Sequence, residues 1–215
     1  MRKLRGKRSP LMKLLFFVIG LATLYGGYYA GNRYAPVKSE YFNLHALAQP
    51  AILDLSLTDH YGRPFDNSDF AGHWNLILFG YLQEPDAARS GLALATQVKN
   101  RLAAEPGLQQ MTRALLITVD PTVDTPEKLR RFLSPYSPDF VGLTGSSERI
   151  AAAAGALGVK IRPLPATQEE PYRIDHGTSI GLAGPQGRLL GLFTGVVDAV
   201  SIAADIQKLA LDHQK

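Results

Sequence analysis

The 215-residue chain has no cysteine. That absence removes disulfides, thiolate zinc sites, iron–sulfur clusters, thioether-linked haem and every thiol nucleophile or redox pair. Thioether sulfur is confined to Met1, Met12 and Met111. Repeats and low-complexity blocks are missing as well. With 46% hydrophobic and 20% charged residues, neither global disorder nor a fibrous architecture fits. The formal charge of +4 is concentrated in one place. Arg2, Lys3, Arg5, Lys7, Arg8 and Lys13 fall within residues 1–13 without an acid, which leaves 17 basic against 19 acidic side chains in the rest. The body of the chain is faintly acidic, which argues against nucleic acid as a partner.

What is present begins with an apolar run, residues 14–30, that carries no charge. As a helix it reaches about 25 Å, and Leu11, Met12 and a snorkelling Lys13 bring it to bilayer thickness. Tyr25, Tyr28, Tyr29 and Tyr34 gather at the far end, where amphipathic rings favour the interface. The run is long for a cleaved signal, and Tyr28 spoils the small-residue site before Ala30. The expectation is a single-pass anchor in an inner membrane, with the N-terminus cytoplasmic and the C-terminal domain periplasmic. Residues 1–13 are then a basic cytoplasmic segment, 14–30 the transmembrane helix, 31–50 a tether without clear period, and 51–212 one folded domain.

Within that domain, strand and helix signals alternate. Residues 52–58 alternate apolar and polar as a half-buried strand, and Tyr61-Gly62-Arg63-Pro64 turns the chain. Residues 74–81 and 114–119 are short apolar runs suited to buried strands. Leu94, Val98 and Leu102 mark a helix over 87–104. Thr125-Pro126 reads as an N-cap and first-turn proline for a helix through Leu133. A strand at 140–143, a helix at 146–157 and a hairpin of 179–183 with 189–193 around Gly184-Pro185-Gln186-Gly187 follow. Asp198 caps a last helix with Ile202, Ile206 and Leu209 on one face. The order predicts an α/β domain with a mixed sheet and flanking helices, of thioredoxin-like type.

The residues that carry chemistry then resemble a known family. Phe79-Gly80-Tyr81 ending a strand, Pro85-Asp86 opening a helix, Thr118-Val119-Asp120-Pro121 with Asp124-Thr125-Pro126, the segment Asp139 to Thr144, and Asp175-His176 are similar to the Sco/SenC proteins. The resemblance implies a membrane-anchored, thioredoxin-fold copper chaperone acting in cytochrome c oxidase assembly. The family pattern places two cysteines after Phe-Gly-Tyr, in x-x-Cys-Pro-Asp-x-Cys, and a third copper ligand in an Asp-His element. This chain has Glu84 and Ala88 at the two cysteine positions, and His176 at the third.

Cu(I) favours soft thiolate, thioether and imidazole ligands, and a carboxylate with one imidazole suits Cu(II) at low affinity at best. His176 is therefore the one metal-ligand candidate carried over from the family, and no resident cofactor is expected. Positions 84 and 88 lie about one helical turn apart, so both are expected to converge on a loop carrying His176. Asp175-His176 also resembles an acid-oriented base, but Thr178 and Ser179 offer no clear nucleophile, and no catalytic residue is assigned. Asp86, Asp120 and Asp124 form a potential acidic rim, with Asp86 and Asp124 placed to meet free N–H groups at helix starts. His45, His60, His73 and His213 are expected to be solvated surface residues. The functional expectation is a non-enzymatic accessory, assembly or interaction protein of a respiratory complex, with membrane and protein partners and a degenerate copper site. The alternative is a working chaperone that uses His176 with non-cysteine or partner-supplied ligands.

Overall fold

The computed structural model describes residues 10–34, 41–165 and 172–212. Two compact units divide between Glu40 and Tyr41. The first contains helix α1 (Pro10–Tyr34). Its stretch Pro10–Tyr29 has a mean hydropathy of 1.6 and the length to cross a bilayer.

The second unit is built on strands β1 (Leu44–Ile52), β2 (Ser56–Asp59), β3 (Pro64–Asp66), β4 (Trp74–Gly80), β5 (Thr112–Thr118), β6 (Val141–Thr144), β7 (Ile161–Leu164), β8 (Arg173–His176), β9 (Ile180–Ala183) and β10 (Arg188–Phe193). Five α-helices accompany them among the described residues: α2 (Asp86–Arg101), α3 (Pro106–Met111), α4 (Pro126–Leu133), α5 (Ser147–Ala156) and α6 (Ala199–Asp212). Eight strands form one sheet in the order β1-β10-β9-β4-β5-β6-β2-β3, and β7 and β8 form a separate hairpin. Only β4, β5 and β6 run parallel, so the sheet is mixed.

Period-two alternation divides the central strands between two cores. Trp74, Leu76 and Leu78 of β4 pack with α2, α4 and α6 through Leu92, Val98, Leu129, Ile202 and Ile206. Ile77 and Phe79, with Tyr81 just beyond, pack on the other face with Ile150 and Ala153 of α5 and Ile174 of β8. Every residue of β4 is buried, which is why it reads as a continuous apolar run rather than an alternation.

The caps expected at Thr125 and Asp198 are in place, and Ser146 supplies another. Thr125 accepts from the Lys128 N–H, Ser146 from the Arg149 N–H, and Asp198 from the Val200 and Ser201 N–H groups. Gly187 takes φ +71° in the β9–β10 turn, and Gly62 takes φ +80° in the β2–β3 turn.

Other expectations are corrected. Residues 44–50 were placed in the tether, yet they belong to β1, which pairs with β10. Only Leu44 of that strand is buried, so its sequence carries no alternation to read. The buried Asp205 of α6 fixes its start by accepting from the backbone N–H groups of Phe42, Asn43 and Leu44. The single strand expected over 52–58 is two, because β1 pairs with β10 whereas β2 pairs with β3 and β6. The short β3, α3 and the β7–β8 hairpin had no distinct signal. His60 is not a solvated residue: it is 6% exposed, whereas His45 is exposed and His73 half-buried. His213 lies outside the described residues.

Candidate functional site

The parallel strand β4 ends at Gly80, and the chain passes through Tyr81–Pro85 into α2. Gly80 lets that helix close on the strand. A Cβ at position 80 would stand 2.8 Å from the Cβ of Ala88, closer than carbon atoms pack. Ala88 is accordingly 1% exposed and belongs to the core on the α2 side.

Glu84 has a different setting. It shares a cavity of about 160 Å³ with Asp86, Arg173, Asp175, His176 and Thr178. The Tyr81 hydroxyl donates to Glu84 Oε2 at 2.5 Å and accepts from the Ile174 N–H at 3.1 Å. Arg173 Nε lies 3.6 Å from the same carboxylate oxygen. Tyr81 thus links the strand–helix loop to β8, and its hydroxyl is held above its usual pKa by burial and then by its bond to Glu84. The His176 ring stands edge-on to Tyr81, with centroids 6.0 Å apart, and its Nδ1 lies 3.2 Å from the Gly177 carbonyl oxygen.

Of the three positions expected to converge, Glu84 and His176 line one cavity and Ala88 does not. His176 closes strand β8 rather than sitting in a loop. Asp175 does not orient it: the Asp175 carboxylate is paired with Arg162 at 2.8 Å. The acidic rim also separates. Asp86 is exposed and pairs with Arg89, and the N-cap of α2 is Pro85, without a side-chain cap bond. Asp124 does not cap α4 either. It is fully buried, and its Oδ2 accepts from Thr118 Oγ1 at 2.6 Å and from the Leu82 N–H at 3.1 Å. Asp124 therefore anchors the loop that carries Glu84.

Burial raises the Asp124 pKa, and the nearby Asp120 carboxylate adds to that. One oxygen of each, Asp124 Oδ1 and Asp120 Oδ2, has no hydrogen-bond partner among the described residues. Burial and then the facing Asp120 push the Tyr172 hydroxyl up to about 12. Arg173, Tyr172 and the Tyr81 hydroxyl were missed as site residues. Tyr81 read as the end of a strand, and only the unrecognised β7–β8 hairpin brings Arg173 and Tyr172 to it.

The donor set does not fit Cu(I). It offers one imidazole and three carboxylates, with no sulfur: Glu84 is engaged by a tyrosine hydroxyl and a guanidinium, Asp86 pairs with Arg89 and Asp175 with Arg162. Among the described residues, no three His, Cys, Asp or Glu side chains are grouped to hold a metal ion.

A family model described as SCO1/SenC matches residues 46–211. The chain belongs to the SCO1/SenC family. It is 35% identical over 165 residues to the mitochondrial SCO2 homolog of Bos taurus, covering 76% of this chain and 62% of that protein. It is also 35% identical over 142 residues to a Stutzerimonas stutzeri protein named as copper-binding, covering 66% of this chain and 68% of that one. The structure of Bradyrhizobium japonicum ScoI with copper bound superposes with a TM-score of 0.61 at 28% identity, over 76% of this chain and 99% of that one. The thioredoxin-like fold and the family expected from the motifs both hold. The chain spans somewhat less than two thirds of the bovine relative's length.

Proposed function

We propose that this chain is a membrane-anchored Sco/SenC protein whose copper site has been lost, and which acts without catalysis as an accessory or assembly protein of a cytochrome c oxidase-type complex. The observation that carries this reading is the state of the two cysteine positions. Ala88 is sealed against Gly80, and Glu84 is bound by Tyr81 and Arg173. A cation entering beside Glu84 meets the Arg173 guanidinium and finds His176 as its only soft donor. The framework around these positions persists, which favours a retained surface for protein contacts. Helix α1 is read as the uncleaved anchor, with the folded domain on the periplasmic side.

A second reading is favoured by one observation: Glu84 and His176 do line the same cavity. In that case His176 works as a chaperone ligand together with ligands from a partner. The two readings separate in a strain lacking this protein. Oxidase assembly is measured after complementation with the wild-type chain or with His176→Ala. Full rescue by His176→Ala supports the accessory role. Rescue by the wild-type chain alone, with copper missing from the oxidase otherwise, supports the chaperone. Oxidase assembly unaffected by the deletion would remove the respiratory assignment.

A further inference from the structure

Glu84 and His176 lie beyond the ends where the parallel strands leave the sheet; a second cavity, of about 320 Å³, lies at the end where β6 enters it. It is lined by His60, Tyr61, Arg130, Leu133, Tyr136 and Phe140, among others, and no carboxylate lines it. The volume falls at the small end of ligand pockets.

His60 supplies the deciding detail. The Gly142 N–H donates to His60 Nδ1 at 3.0 Å, so Nδ1 is the acceptor and the neutral ring carries its proton on Nε2. No protein acceptor meets that Nε2–H among the described residues, although the residue is only 6% exposed. Nε2 keeps some solvent access, and His60 lines the cavity.

The nearest negative charge is Asp59, which acts on His60 more strongly than either neighbouring arginine and is paired with one of them. Asp59 accepts from the Tyr61 and Arg63 backbone N–H groups and pairs with the Arg63 guanidinium, beside a different cavity. Arg130 has no ion pair among the described residues and acts on His60 as a neighbouring positive charge. Gly142 gives room for this arrangement, since a Cβ there would stand 3.0 Å from both Leu129 and Leu133 and 3.5 Å from His60.

We propose that this cavity binds a small carboxylate with a flat apolar body, its charge on Arg130 and His60 Nε2–H and its body against Leu133, Phe140 and the two tyrosines. The guanidinium presents a planar fork that matches a carboxylate. An imidazole N–H left without an acceptor supplies the second donor, and the apolar walls exclude water from a ring-sized body. The site stands apart from the copper question, because none of its lining residues lines the Glu84–His176 cavity.

The test is amide NMR on the full chain in detergent micelles, titrated with sodium benzoate, benzamide or inorganic phosphate. Benzoate is expected to shift the Gly142 amide and the His60 ring in a saturable way, and benzamide to shift neither. Arg130→Gln, an exposed substitution that leaves the fold intact, is expected to weaken benzoate about tenfold, whereas Arg130→Lys retains part of the affinity. Absence of a saturable shift at Gly142 and His60 overturns the proposal, as does unchanged affinity in Arg130→Gln. A tighter response to phosphate than to benzoate, or equal binding of benzamide, overturns the carboxylate assignment.

Discussion

The two positions where the family pattern has cysteine are occupied in physically opposite ways. Position 88 belongs to the core: Ala88 packs on Gly80 and does not line the cavity that holds His176. Position 84 lies at the surface with partners of its own, the Tyr81 hydroxyl and Arg173 on its carboxylate. The residue at the first turn of α2 thus serves packing, whereas the residue in the loop serves wiring. The comparison predicts that substitutions at the first turn act on stability, and that substitutions at the loop act locally.

The largest effects are expected at the packed position. Gly80→Ala and Ala88→Leu both force atoms into the strand–helix contact and are expected to lower stability by about 1–3 kcal/mol. Denaturant unfolding of the full chain in micelles measures this, and an unchanged midpoint would break the comparison. Next is the loop anchor. Asp124→Ala removes the acceptor of the Leu82 N–H and the Thr118 hydroxyl, at a cost of roughly 1–3 kcal/mol. Asp124→Asn keeps an acceptor oxygen and removes a charge that burial disfavours, so it is expected to match or exceed the wild-type stability at pH 7.

The framework was legible because its signals are local. Thr125-Pro126, Ser146, Asp198 and the Gly184–Gly187 turn each state their structure within four residues. The family motifs added the site positions. What stayed hidden depends on pairings distant in sequence. β1 shows one buried residue and so no period, and the buried His60 accepts from the Gly142 N–H, 82 residues away. Arg173 reaches Glu84 only through a hairpin whose partner strand, β7, has no buried residue.

Smaller effects are expected on the wired side. The Glu84–Arg173 pair is about half exposed, so a double-mutant cycle of Glu84→Ala with Arg173→Ala is expected to give a coupling below about 1 kcal/mol. A larger coupling would mean that the loop is as structural as the first turn of α2.

The smallest expected effect is a pH slope at the far end. Burial holds His60 below its usual value of 6.5, so the unfolded chain takes up a proton near that pH while the folded ring resists. The contribution of His60 is therefore present above pH 6.5 and is lost as pH falls below it, towards the lower pKa of the folded state. Thermal unfolding of His60→Gln against wild type from pH 7.5 down to about 5 measures it, and the variant is expected to show the shallower slope.

The proposal that the copper site is lost is tested most directly by competition for Cu(I). The purified full chain, equilibrated anaerobically with one equivalent of Cu(I) and a competing chelator, is expected to surrender the metal completely. Glu84→Cys combined with Ala88→Cys is expected to retain it, and to lose it again with His176→Ala. Stoichiometric Cu(I) held by the wild-type chain, and released on His176→Ala, would contradict the account.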